Sequence, residues 1–196
     1  MKTPWGYDVS AQLAPIISVE DFNTITGGKF AGNPRVESAL QSASHAIRSE
    51  CGWHITPSLA CVAKPVGGGI VLRLPAACVS GVTSVTENGT LLDASMYEWR
   101  EDGVVRHVPP KPWSDRWNGI EVSYTAGYDA DMVPDLVEAV CSIATGVMTV
   151  APGIISESAD GVSVSYTSSA SSIAAALTAN QKAALSVYKV VNAHAS

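Results

Sequence analysis

Cys51-Gly-Trp-His-Ile-Thr-Pro57 stands where a helical pattern stops and an extended, sheet-forming pattern begins. On its N-terminal side, Asn33-Pro34 supplies a cap and then a proline in the first turn. Val36, Leu40, Ala43, Ile47 and Cys51 recur at three- and four-residue steps, so they share one face of a helix predicted over 34–51. Gly52 is the expected stop, and Trp53 is expected to pack back against the exit. The stretch thus predicts a helix that feeds a β region through an aromatic anchor.

Outward from this junction, residues 53–128 are rich in tryptophan, proline and turn signals. Ile70, Leu72 and Leu74 alternate with Val71 and Arg73. Asn88-Gly89 and Asp102-Gly103 predict hairpin turns, because both dipeptides accept positive φ. Tyr97 and Trp99 face opposite to Glu98 and Arg100, and Ile120, Val122 and Tyr124 close the region as a half-buried strand. A small antiparallel sheet inserted between helices follows. Pro134 opens a second main helix with Leu136, Val140, Ala144 and Val147 on one face, stopped by Pro152-Gly153. Val162, Val164 and Tyr166 alternate in a further strand. Thr178 and Gln181 form a capping box for a last helix ending near Asn192. Ser18 with Asp21 starts a short helix that ends at Gly27-Gly28.

The expected class is α+β: a small helical bundle (18–52, 134–150, 178–193) with an inserted antiparallel hairpin region at about 55–128. The expected organisation is an extended N-terminal arm at 1–17, an α+β core at 18–167, and a Ser/Ala connector with a C-terminal helix at 168–196. Core anchors are Leu40, Ile47, Trp53, Leu136, Val140 and Val147.

Composition limits function. Charged residues are few (15%), apolar ones plentiful (46%), and the net charge is −6, which suits subunits packed against copies of themselves better than a phosphate-binding surface. Between Arg116 and Lys182 there is no Lys or Arg, while Glu121, Asp129, Asp131, Asp135, Glu138, Glu157 and Asp160 fall in that interval. Such a face is ordinarily just solvated. It also repels phosphate over roughly 8–10 Å. Cys51, Cys61, Cys78 and Cys141 lack a C-x-x-C pair and read as reduced, mostly buried thiols of a cytosolic protein. Neither a signal peptide nor a membrane span is expected, because the apolar stretch 136–155 is broken by Glu138, Gly146, Pro152 and Gly153.

Catalytic and cofactor patterns are weak. His45, His54, His107 and His194 are dispersed, and no G-x-S-x-G elbow presents a serine. Gly67-Gly-Gly69 precedes a strand, so it reads as a flexible turn and not a phosphate cradle. Cys51, His54 and Cys61 lack a fourth zinc ligand at sensible spacing. Trp113 and Trp117 either form a stacking platform for sugar or bases, or cap an edge or fill an interface.

The order of short motifs resembles the head–tail connector (adaptor) proteins of long-tailed bacteriophages. The helix ending in Cys51-Gly-Trp-His54 comes first. Leu72-Arg-Leu-Pro75, Val82-Thr-Ser-Val-Thr86, Asn88-Gly89 and Tyr97-Glu-Trp99 follow in order. Trp117-Asn-Gly-Ile-Glu-Val-Ser-Tyr-Thr-Ala-Gly-Tyr128 then resembles the family's V-x-Y-x-x-G-Y strand and turn, and Ile155–Ser158 with Gly161–Tyr166 the segment before the last helix. The resemblance implies a structural virion protein without catalytic residues, cofactor or metal. It implies a ring of twelve copies under the portal protein, found in the virion neck and, during assembly, in the host cytoplasm. Such a ring extends the DNA channel without sequence-specific binding or membrane contact, and is a platform for a stopper or tail-completion protein. It implies that the C-terminal segment reaches the portal, with Lys182, Leu185, Tyr188, Lys189 and Val191 as the candidate contacts; the alternative is a last helix folded back on the chain's own core. Asp129, Asp131, Asp135, Glu157 and Asp160 are expected to line the channel. The alternatives are a carbohydrate- or peptide-binding module using the Trp113/Trp117 surface and a small hydrolase using His54 or His107.

Overall fold

Residues 1–149, 156–159, 162–165 and 177–190 are described by the computed structural model. The chain divides into two units. Met1–Leu13, Cys51–Met132 and Tyr188–Ser196 form the first, and Ala14–Glu50 with Val133–Val187 the second. The fold is α+β, as expected, with helices before and after an antiparallel β region.

Strands of the first unit are β1 (Asp8–Val9), β2 (Leu59–Ala63), β3 (Val71–Arg73), β4 (Val79–Glu87), β5 (Thr90–Leu91), β6 (Tyr97–Trp99), β7 (Val104–His107) and β8 (Ile120–Ala126). They make two sheets where the sequence predicted one: β1-β2-β8-β4-β5 and β3-β7-β6. The Asp102-Gly103 turn returns β7 onto β6, and β3 takes β7's other edge, Leu72 opposite Val105. That pairing between distant segments has no local signature. Ile70 is correspondingly outside β3 and 55% exposed, whereas Leu72 and Leu74 are buried.

β8 sits at the centre of the five-stranded sheet. Ile120, Val122, Tyr124 and Ala126 are all buried, the period-2 face that a strand presents to a core. Its neighbours β2 and β4 run antiparallel, Cys61 and Val82 both opposite Tyr124. The expected N-terminal arm is extended but folded in: β1 pairs with β2, and Tyr7 and Val9 are buried.

In the second unit, α1 (Val19–Ile25) begins at Ser18, whose hydroxyl accepts from the Asp21 N–H at 3.0 Å. α2 (Val36–Cys51) starts two residues later than predicted, because the Asn33 side chain accepts from the Arg35 N–H and holds Pro34 in a turn. Leu40, Ala43 and Ile47 on its inner face have no exposed surface. α3 (Pro134–Thr149) buries Leu136, Val140, Ile143, Ala144 and Met148. Val147 was expected in that stripe but is only half-buried; in the last turn the longer Met148 takes the inward place. Each fully buried Leu, Ile or Val contributes about 1.5–3 kcal/mol.

β9 (Ser156–Ala159) and β10 (Val162–Ser165) form a hairpin. α4 (Ala179–Leu185) carries the predicted Thr178/Gln181 capping box. It ends well before Asn192: the Ser186 hydroxyl bonds the Ala183 carbonyl at 2.6 Å, and a 3₁₀ turn over Ser186–Tyr188 follows.

Candidate functional site

The Cys51–Pro57 stretch is a knot of tertiary contacts. Gly52 leaves α2 at φ 80°, which an L side chain rarely adopts. Trp53, His54 and Ile55 then have no exposed surface. His54 Nε2 lies 3.0 Å from the Ala126 carbonyl, which can only accept, so the ring's proton is on Nε2. Nδ1 therefore accepts from the Tyr7 hydroxyl at 2.8 Å, and the same hydroxyl accepts from the His54 N–H at 3.0 Å. These bonds join the N-terminal segment, the turn and the end of β8.

The knot also holds the C-terminal segment. Trp53 Nε1 donates to the Tyr188 carbonyl at 2.6 Å, and the Val190 N–H donates to the Cys51 carbonyl at 3.2 Å. The Tyr188 ring meets Tyr128 edge-on, centroids 5.6 Å apart. Of the expected portal-facing residues, Lys182 and Lys189 are exposed, Tyr188 is half-buried, and Leu185 is 2% exposed. Leu185, which belongs to the second unit, is thus already buried within the chain. Val191 lies outside the described residues.

Chemistry at the histidines is poorly served. Both His54 ring nitrogens are engaged, which leaves none for zinc beside Cys51 and Cys61. Among the described residues no group of three His, Cys, Asp or Glu is placed to hold a metal. Burial pushes the Cys61 thiol up to about 11, away from the thiolate a metal needs. Burial raises the Cys78 and Cys141 thiols as well. His107 is fully buried, stacked on Trp113 with centroids 3.7 Å apart and Nε2 3.3 Å from Glu87 Oε2. Neither His54 nor His107 has exposed surface.

The expected tryptophan platform is divided. Trp113 is 2% exposed and belongs to the core, while Trp117 is 93% exposed. The loop that carries Trp117 is tightly held. Gly68 N–H donates to the Trp113 carbonyl, and Trp113 N–H to the Gly69 carbonyl, at 3.1 and 2.9 Å. Ser114 N–H donates to Glu87 Oε1 at 2.7 Å, and Asn88 N–H to the Gly119 carbonyl at 2.5 Å. Gly67-Gly-Gly69 is therefore no loose turn. A Cβ at Gly67 would lie 1.8 Å from the Ser114 carbonyl oxygen, so only glycine lets the two backbones meet.

At the other end of β8, Asp129 and Asp131 are exposed beside Met132, itself 66% exposed. Asp135, in the first turn of α3, is also exposed. Glu157 falls in β9, and Asp160 lies outside the described residues.

A family model described as "Head completion protein" matches residues 15–189. Among solved structures, the chain is similar to one from the "Neck of native GTA particle computed with C12 symmetry", with TM-score 0.57 and 18% identity over 74% of this chain and 83% of the other. It is equally similar to one from the "Neck of empty GTA particle computed with C6 symmetry", with TM-score 0.57 and 19% identity over 75% and 87%. At these identities the likeness is one of fold. No curated protein matches the sequence.

Proposed function

Because the chain belongs to the head completion protein family, a class of structural phage head–tail connectors, we propose that it forms a ring in the particle neck. In this reading the portal protein lies on one side of the ring and a stopper or tail-completion protein on the other. The observation that carries the reading is the family match over residues 15–189. The symmetries given for the two similar necks support a ring of twelve, since six-fold symmetry is contained in twelve-fold. Low charge density and a net charge of −6 suit a wall past which DNA slides without sticking. By the same reasoning, the exposed Asp135 faces the channel, and the interval of sequence that also holds Glu157 and Asp160 brings no Lys or Arg to it.

The C-terminal segment is the proposed portal contact, through the residues its own fold leaves exposed: Lys182, Lys189 and Val187, the last 71% exposed. Tyr188 and Leu185 support that contact from inside.

Imaging of particles assembled with and without the protein tests the role. The expected result is a ring of density between portal and tail that disappears, together with tail attachment, when the protein is omitted. Normal tailed particles without it would overturn the reading. For the portal contact, Lys182→Glu with Val187→Asp, both at exposed positions, is expected to leave a folded protein that no longer joins portal-bearing heads. Truncation after Ser172 is expected to cost folding itself, because it removes Leu185 and the Trp53–Tyr188 bond.

A further inference from the structure

Resting on the ring reading, we infer that neighbouring copies meet head to tail through the two ends of β8: Trp117 with Arg116 on one copy seats against Met132, Asp129 and Asp131 on the next. All five residues belong to the first unit. The seven residues of β8 separate the two patches by about 23 Å at ~3.3 Å per residue, so each copy presents one at either end of a single strand.

The chemistry of the two ends is complementary. Trp117 is 93% exposed, yet its loop is fixed by hydrogen bonds from Gly68, Trp113, Ser114 and Asn88, so little further ordering is needed when it binds. A buried Trp covers about 150–250 Å², and Trp and Arg are the residues most often found at the energetic centre of interfaces. Arg116 is exposed and makes no ion pair among the described residues. The far end offers what such a pair fits: a flexible apolar side chain, Met132, between exposed carboxylates. It also lies in the interval from Arg116 to Lys182 that holds no Lys or Arg of its own. Two different, complementary patches on one body give a heterologous contact, and such contacts generate rings when the rotation closes.

The test uses the full chain assembled on portal-bearing heads. Trp117→Cys combined with Met132→Cys is expected to give, on mild oxidation, a ladder of covalent multimers up to the ring size, whereas either single variant gives none. A dimer from Trp117→Cys alone would mean a two-fold contact and overturn the proposal. Trp117→Ala is expected to raise the concentration needed for ring formation about thirtyfold, with circular dichroism and melting unchanged because the side chain is exposed. Arg116→Glu is expected to block ring formation, and adding Asp129→Lys and Asp131→Lys to the same chain to restore it. Rings on wild-type heads with no ladder and no effect of Trp117→Ala would sink this contact alone. Absence of any ring on wild-type heads would sink the ring reading itself.

Discussion

The indole Nε1 of Trp53 donates a 2.6 Å hydrogen bond to the backbone carbonyl of Tyr188, 135 residues further along the chain. With the Val190–Cys51 backbone bond, it makes the Cys-Gly-Trp-His turn the clasp of the C-terminal segment. Trp53→Phe keeps most of the apolar contact but removes the donor. Leaving that partly buried carbonyl unpaired is expected to cost about 1–3 kcal/mol. Hydrogen exchange at Val190 should rise in the variant; unchanged exchange would show that the clasp contributes nothing.

Tyr7→Phe removes two hydrogen bonds from His54 at once. The Nδ1 lone pair and the backbone N–H both lose the same hydroxyl in a site with no water access. A loss of about 2–4 kcal/mol is expected in urea unfolding, from two unsatisfied buried groups. A loss below half a kilocalorie would mean that the site relaxes to re-pair them.

Core substitutions should rank by burial. Leu40→Ala and Val140→Ala, both at positions with no exposed surface, are expected to cost about 2–5 kcal/mol. Val147→Ala, half-buried at the end of α3, should cost clearly less, while Met148→Ala should resemble the first pair. Thermal melts of the four variants check the order.

Gly67→Ala is expected to push the Trp117 loop off its seat, since its Cβ would sit 1.8 Å from a backbone oxygen. The nearest clash is with backbone, so the two backbones must separate, and Ile120 Cδ1 at 2.7 Å must shift as well. Fluorescence of the variant should report loss of the fixed Trp113 environment, and the melting temperature should fall.

Alkaline pH should destabilise the protein. Burial raises the Cys61 thiol from 9.0 to about 11, and the buried Tyr124 hydroxyl is raised in the same sense by the same cause. A raised folded pKa means that the neutral form is favoured on folding. The stabilisation is therefore full below pH 9 and lost as pH climbs from about 9 through 11. Cys61→Ala should flatten that limb of the stability–pH curve, and thiol labelling of native protein at pH 8 should spare Cys61.

Much of this fold was legible locally. The Ser18–Asp21 cap, the Thr178–Gln181 box, the Gly52 stop and the Asn88-Gly89 and Asp102-Gly103 turns depend on residues within a few positions of one another. Their geometry is decided by short-range sterics and hydrogen bonding, which the sequence by itself determines. The buried faces of α2, α3 and β8 follow from apolar periodicity in the same way. The order of those pieces also carried the connector resemblance. What only the tertiary structure decided was pairing across long separations: two sheets in place of one, Leu185 turned inward, and the N-terminal strand laid on β2. The same holds for the tryptophans. Trp113 and Trp117 stand four residues apart in one loop, and no local rule separates them. Trp113 is buried because His107, brought in by β7, offers it a ring to stack on, while Trp117 is left in solvent because the bonds from Gly68, Ser114 and Asn88 hold its loop outward.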